Sequence, residues 1–465
     1  MISFHNEGGI MYRFIFLLFL SFQTNAADFV HPYPSFSEGE KLYTFPDFLN
    51  AHYYISYDSE NKSASIKAEI SFKTEEEGYP LFDLKENPTR VELDGKEIET
   101  PLVDSPKKET KFRVMNQLTS IGVHTLRVEV PLKFLLRYTD KGVDSAFWLA
   151  DLDDRSFLEN YIPSSFENDS VEMIFDVSFK ISADQQIFAN GEIERTGDRD
   201  FRITFPKEYT SSSVYYHTTP LGSFNERRFE IKSKVSGKVI PVIVYSKTIS
   251  NFNSYEESIR QTMDELEADY GPYLHSSFIV YDADLSRWGL GGMEYCGATV
   301  TNLWAVQHEL FHSFFGRGVM AANGNSGWID EALASWRDGG YFSNQNMRER
   351  RALVLDFPYV KKTNRLAYSY GKNFISFLDG NTKMPIEMKL FMKSLYQKKS
   401  WTPITTEDLI VELDLFSGNS YQQLFDEYVY GNKSTLDASE LWIEPNSSEH
   451  SIHRKISGED LYKIL

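Results

Sequence analysis

From about residue 45 to about residue 230 the chain alternates apolar and polar side chains with a period of two. Ile66, Ala68, Ile70 and Phe72 form one such run, as do Leu126, Val128 and Val130. Phe175, Val177, Phe179 and Ile181 form another, and Phe201, Ile203 and Phe205 a fourth. Each run turns one apolar face to a core, which predicts strands. Asp94-Gly95 and Asn190-Gly191 are predicted to be type I′ hairpin turns, because both central positions of that turn need positive φ. The stretch 28–238 is therefore expected to be an antiparallel all-β domain, a saddle or a sandwich.

Beyond it the pattern changes. A strand is predicted over 240–245, and Ser254-Tyr255-Glu256-Glu257 reads as a capping box opening a helix with Ile259, Met263 and Leu266 on one face. Gly271-Pro272 ends that helix. Phe278-Ile279-Val280-Tyr281 reads as a buried strand leading on through Trp288-Gly289-Leu290. The remainder is predicted helical: one helix carries Met388, Phe391, Met392 and Leu395, a second spans 406–413, and Ser420-Tyr421-Gln422-Gln423 is a second capping box ahead of Leu424 and Tyr428. The predicted fold class is α+β and multidomain, with a mixed α/β unit over 239–435 whose C-terminal part is helical and a loosely attached tail over 436–465. The chain has no internal repeat and no low-complexity tract.

Gln307-His308-Glu309-Leu310-Phe311-His312 carries the chemistry. Leu303, Val306, Leu310 and Phe314 recur at helical spacing, so the segment is predicted helical with His308 and His312 on the opposite face. Two neutral imidazoles at i and i+4 hold two corners of a tetrahedral zinc site, which needs a third protein ligand and leaves a position for water. Eighteen residues separate His312 from Glu331, which lies in a second predicted helix with Trp328, Leu333 and Trp336 facing a core and Gly339-Gly340 ending it. Glu309 stands beside the ligands without being one, the place for a general base.

With these residues in view the chain resembles the gluzincin aminopeptidases, the group of aminopeptidase N and leukotriene hydrolase. Gly291-Gly292-Met293-Glu294-Tyr295, the His308 to His312 motif and Trp328-Ile329-Asp330-Glu331 are similar to its GxMEN, HExxHxWFG and WLNEG blocks, in the same order and spacing. Tyr295 stands for the family Asn, Phe314 for the Trp, Asp330 for the Asn and Ala332 for the Gly. The likeness runs from about residue 45 to about 435 and is densest between 270 and 340. It implies a thermolysin-like catalytic unit in which a mixed sheet has its edge beside the zinc helix, and one zinc ion on His308, His312 and Glu331. It implies that Gly291, Gly292, Met293 and Glu294 bind substrate, Glu294 holding the α-amino group of a peptide. Phe188-Ala189-Asn190-Gly191-Glu192 and Thr218 to Phe224 resemble landmarks of the family's first domain. That domain lends a Gln or Glu to the amine in larger relatives; Asp151, Asp153 and Asp154 lie near the right place but match poorly. Tyr368-Ser369-Tyr370-Gly371-Lys372 resembles the block that supplies a transition-state donor, with Tyr368 the better match and Tyr370 the alternative register. The reaction implied is hydrolysis of the first peptide bond. A zinc endopeptidase with an open cleft, or a catalytically silent peptide-binding module, are the alternatives.

Composition narrows the setting. With 48 basic against 67 acidic residues the formal charge is −19, which argues against nucleic acid or an anionic membrane as partner. A length of 465 residues with 41% apolar side chains suits two or three domains with real cores. Residues 11–27 have a basic start at Arg13, an apolar run over 14–22 and small residues at Ala26 and Ala27, the plan of a signal peptide too short to span a bilayer. Residues 1–10 do not fit that plan and are expected to be untranslated, with Met11 the true start. Export to the periplasm or the medium is expected, and no later stretch is apolar enough to span a membrane. The lone cysteine, Cys296, excludes an internal disulfide and is expected to be buried and inert rather than a nucleophile. Nothing in the sequence sets the oligomeric state.

Overall fold

The computed structural model describes residues 30–431 except 109, 149–160, 167–168, 182, 284, 286–290, 348, 356 and 362. The expected signal peptide, the stretch before it, Asp151, Asp153, Asp154, the Trp288-Gly289-Leu290 link and the 436–465 tail lie outside the described residues.

The alternating runs form strands as expected. They build an eight-stranded sheet in the order Glu192–Arg195, Asp200–Thr204, Glu172–Lys180, Asp47–Asp58, Ser63–Thr74, Gly122–Leu132, Arg90–Leu93 and Lys96–Glu97. Ile66, Ala68, Ile70 and Phe72 are buried on one face of Ser63–Thr74, while Ser63, Ser65, Lys67 and Glu69 face water. A four-stranded sheet including Gly142–Phe147 and Tyr216–Pro220 contributes to the same core. A five-stranded sheet of short strands, from Phe36–Glu38 to Leu102–Asp104, packs Phe36, Phe45 and Phe112 against Tyr359.

Two expectations are corrected here. The first half is not wholly antiparallel: Glu172–Lys180 runs parallel to Asp47–Asp58, and Lys41–Thr44 parallel to Tyr79–Phe82. Only a tight hairpin forces neighbours antiparallel, and the two central strands are far apart in sequence, so the intervening chain can return to the starting end. Asp94-Gly95 makes its hairpin, with φ of 51° and 77°. Asn190-Gly191 does not. Neither residue takes positive φ, and the strands on either side join different sheets. The Asn190 side chain accepts from Tyr215 N at 2.7 Å and donates to Ser213 O and Cys296 O at 2.9 and 2.8 Å, which fixes it as a crossing between layers.

The second half is built on another five-stranded sheet, ordered Asn225–Lys232, Val239–Ser246, Phe278–Asp282, Ala298–Thr301 and Gly292–Tyr295. Its three inner strands are parallel and the outer two antiparallel, so it is mixed, and it begins at Asn225, ahead of residue 239. Both faces of Phe278–Asp282 are buried, which is why that strand is continuously apolar. Phe278 and Val280 face the helices, and Ile279 and Tyr281 face the core of the first half.

The helices are α1 (Phe252–Asp269), α2 (Val306–His312), α3 (Trp328–Asp338), α4 (Tyr370–Gly380), α5 (Met388–Lys399), α6 (Thr406–Ser417) and α7 (Gln422–Tyr428). The two predicted capping boxes do not form: α1 starts at Phe252 and α7 at Gln422, each without a side-chain cap. Tyr255, Ile259, Met263 and Leu266 are buried along α1 as the spacing predicts. A capping box does form at Thr405 and Asp408, opening α6. Among the described residues no helix is long and apolar enough to cross a membrane.

Candidate active site

Two short helices and one strand edge make the site. Val306, Leu310 and Phe311 bury one side of α2 in the helical core, which turns His308 and His312 away from it toward α3. Trp328, Ile329, Ala332 and Leu333 do the same for α3 and leave Glu331 facing α2. Gly371 of α4 sits where a Cβ would lie 3.0 Å from the Ala332 methyl, a close approach that seats α4 on α3.

His308 Nε2 and His312 Nε2 lie 3.1 Å apart, and Glu331 Oε2 is 3.4 Å from the first and 3.5 Å from the second. Ligand atoms at the corners of a tetrahedron with metal bonds of about 2.0 Å are about 3.3 Å apart, so this triangle has the size a zinc ion requires. Glu331 Oε2 is buried and has no hydrogen-bond partner. An orphaned carboxylate oxygen facing two imidazole nitrogens is what a cation would satisfy. Two nitrogens and one oxygen are a zinc donor set, and the residues fit one ion.

The supporting contacts include one residue that the sequence reading missed. His308 Nδ1 lies 2.6 Å from Asp338 Oδ2, and His312 Nδ1 lies 3.2 Å from the Phe315 carbonyl. Each contact holds its ring so that Nε2 faces the metal position. Asp338 stands seven residues after Glu331, two turns along the same face of α3, and that spacing was the available signal. Burial lowers the proton affinity of His312, but the facing Glu331 carboxylate outweighs it and carries the ring up to about 10. The same imidazolium charges hold Glu331 low against its burial.

Glu309 lies under the strand edge. A Cβ on Gly292 would fall 2.5 Å from the Glu309 carboxyl carbon, so the glycine makes room for that carboxylate. Burial pushes Glu309 up to about 8 against the pull of His308 and His312, and its Oε2 has no hydrogen-bond partner. Tyr368 reaches the site and Tyr370 does not. The Tyr368 hydroxyl donates to Glu331 Oε1 at 2.5 Å. The Tyr370 hydroxyl accepts from Arg351 N at 2.9 Å and donates to the Glu349 carbonyl.

Glu294, on strand Gly292–Tyr295, accepts from Arg317 Nη2 at 3.1 Å, and both side chains are largely buried. Arg317 was not singled out in the sequence. Cys296 is fully buried, with burial raising its thiol to about 11, as expected of an inert cysteine.

No family model and no curated protein matches the sequence. Solved structures do match in shape. A mutant of an M1 zinc metallopeptidase from Deinococcus radiodurans superposes with a TM-score of 0.60 at 15% identity, covering 84% of this chain and 96% of that one. The chain has the M1 zinc-metallopeptidase fold. Aminopeptidase A of Legionella pneumophila shares it with a TM-score of 0.64 at 13% identity, over 86% of this chain and 51% of that one. Yeast LTA4 hydrolase shares it with a TM-score of 0.59 at 14% identity, over 83% of this chain and 68% of that one. The chain thus spans nearly the whole of the Deinococcus protein but about half of the Legionella one. In this M1 fold the mixed sheet lies with its free edge, Gly292–Tyr295, against α2.

Proposed function

We propose that this protein is an exported zinc aminopeptidase that removes the N-terminal residue of peptides. The observation that carries the reading is the convergence of His308, His312 and Glu331 on one point, every pair of ligand atoms within 3.5 Å, with Glu309 and Tyr368 beside it. A zinc ion on those three residues would supply a Lewis acid and make water acidic enough to ionise near pH 7. Glu309 takes the proton of the attacking water and passes it to the leaving amine. Tyr368 donates a hydrogen bond from its hydroxyl to the carbonyl oxygen as charge develops there, a contact worth roughly 2.7–4 kcal/mol in comparable sites. Glu294 receives the protonated α-amino group, which sets the first peptide bond beside Glu309. Gly292 and Met293 on the strand edge, with Gly291 just ahead of it, are the backbone along which the substrate lies.

Supporting the aminopeptidase reading, a structure of the Deinococcus mutant is described as bound to a Tyr-Ser-Ala substrate, and the Legionella protein is described as an aminopeptidase in complex with aspartic acid. Export rests on residues 11–27, and sequencing the N-terminus of protein recovered from cell fractions tests it.

The deciding experiment is a panel of fluorogenic amino-acid amides run beside N-acetylated controls. The expected result is chelator-sensitive release of single residues from free amines only. Equal cleavage of blocked and free substrates would make the protein an endopeptidase, and binding without cleavage would make it a silent peptide-binding module.

A further inference from the structure

Among the described residues Trp304 is the tryptophan that stands open to solvent, 67% exposed, while Trp148, Trp328 and Trp336 are buried. An indole left in water forgoes a large burial gain, and tryptophan is enriched where a binding partner supplies it. Trp304 lies just before α2, and its ring reaches back over the strand edge. A Cβ on Gly291 would lie 2.9 Å from Trp304 Cη2 and 3.4 Å from Cζ3, so the far end of the indole rests on that glycine. Gly291 is itself held in place. Its carbonyl accepts from Asn302 N at 3.0 Å and from Asn302 Nδ2 at 3.2 Å.

The order of residues along this edge gives the indole a position relative to a bound peptide. Glu294, the α-amine anchor, stands at one end. Gly292, against which the Glu309 carboxylate rests, comes next, and Gly291 with the indole lies beyond. Successive strand residues advance about 3.3 Å, so Glu294 and Gly292 stand about 7 Å apart along the edge, and Gly291 with the indole is the residue just ahead of the strand. A chain whose amine is at Glu294 and whose first peptide bond is beside Glu309 carries its following residues to the indole.

We propose that Trp304 is a specificity-determining residue that packs an apolar or aromatic side chain just after the cleaved bond, so that the preferred substrates are peptides with such a residue at the second or third position. The proposal rests on the aminopeptidase reading, because that reading sets the direction of the peptide. The occupant is an apolar or aromatic group because the surface that Trp304 leaves exposed is that of an indole, chiefly hydrocarbon and suited to stacking on a flat ring.

The test uses tetrapeptides with free N-termini that differ only in having phenylalanine or glycine at the second and third positions. The unmutated protein is expected to favour the phenylalanine peptides. Trp304→Ala should lower kcat/KM for these about three- to tenfold, through KM, and leave the glycine peptide unchanged, while Trp304→Phe restores most of the preference. Equal losses on both peptides, or no loss on either, would overturn the assignment. The same ratio measured as peptide affinity in a Glu309→Gln background decides the role of Trp304 even if the unmutated protein cleaves neither peptide, an outcome that overturns the aminopeptidase reading alone.

Discussion

The Tyr368 hydroxyl donates to Glu331 Oε1 at 2.5 Å, while the other carboxylate oxygen of Glu331 faces the two histidines. One glutamate thus faces both the histidine pair and the Tyr368 hydroxyl, which the proposed mechanism makes the transition-state donor. Tyr368→Phe should lower kcat on the order of a hundredfold with little change in KM, because the donor acts on charge that develops only in the transition state. Tyr370→Phe removes contacts to Arg351 N and the Glu349 carbonyl and should leave kcat within about twofold. Steady-state kinetics on the two variants checks the choice between the registers.

Asp338 holds His308 from the side opposite the metal position, at 2.6 Å from Nδ1. Losing it frees the ring to turn and lowers the basicity of Nε2. Asp338→Ala should therefore weaken zinc binding by about 10- to 100-fold. Competition against a fluorescent chelator measures this directly, and an unchanged affinity would remove Asp338 from the supporting role.

The strand pattern and the ligand spacing were legible because both are local. Alternation over Ser63–Thr74 reports one buried face whatever its neighbours are, and His308 and His312 share a helical face by geometry alone. Strand direction is not local, so the parallel pairing of Glu172–Lys180 with Asp47–Asp58 left no mark on the pattern. Asn190-Gly191 has the residues of a turn, yet the Asn190 amide is more fully satisfied by the backbone of Ser213, Tyr215 and Cys296. Arg317 and Asp338 were missed for a related reason: each acts on a residue of another element, and only tertiary packing brings the pair together.

The segment ahead of Tyr368 is tied to the first half of the chain by a buried charge. Lys361 Nζ donates to Asp83 Oδ2 at 2.6 Å and lies 4.9 Å from the centre of the Phe112 ring, with both charged side chains almost wholly inaccessible. Lys361→Met strands a carboxylate in an apolar setting and should cost about 3–5 kcal/mol of stability. Adding Asp83→Leu should recover part of that loss. Urea unfolding of the single and double variants reads both effects.

Two buried histidines make the fold less stable in acid. Burial holds His217 at about 3 and His275 at about 4, where His217 Nδ1 meets the Tyr245 hydroxyl at 2.9 Å and His275 Nε2 the Ser313 carbonyl at 2.9 Å. An unfolded histidine titrates near 6.5, so between about pH 6.5 and pH 4 the unfolded chain binds protons that the folded chain refuses. Stability is then fully present above pH 6.5 and falls as pH drops, by up to about 1.4 kcal/mol per pH unit for each histidine. His217→Phe should flatten the pH dependence of the urea midpoint by close to one proton. An unchanged slope would mean that His217 charges freely in the folded protein.

If His308, His312 and Glu331 hold one zinc ion, metal analysis of the purified, dialysed protein will find it. One zinc per chain is predicted for the unmutated protein and for Glu309→Gln, with hydrolysis abolished in the latter, and well under one zinc for His312→Ala and Glu331→Ala. A folded, unmutated protein that takes up no zinc, or a Glu331→Ala variant that keeps its full complement, would contradict the account.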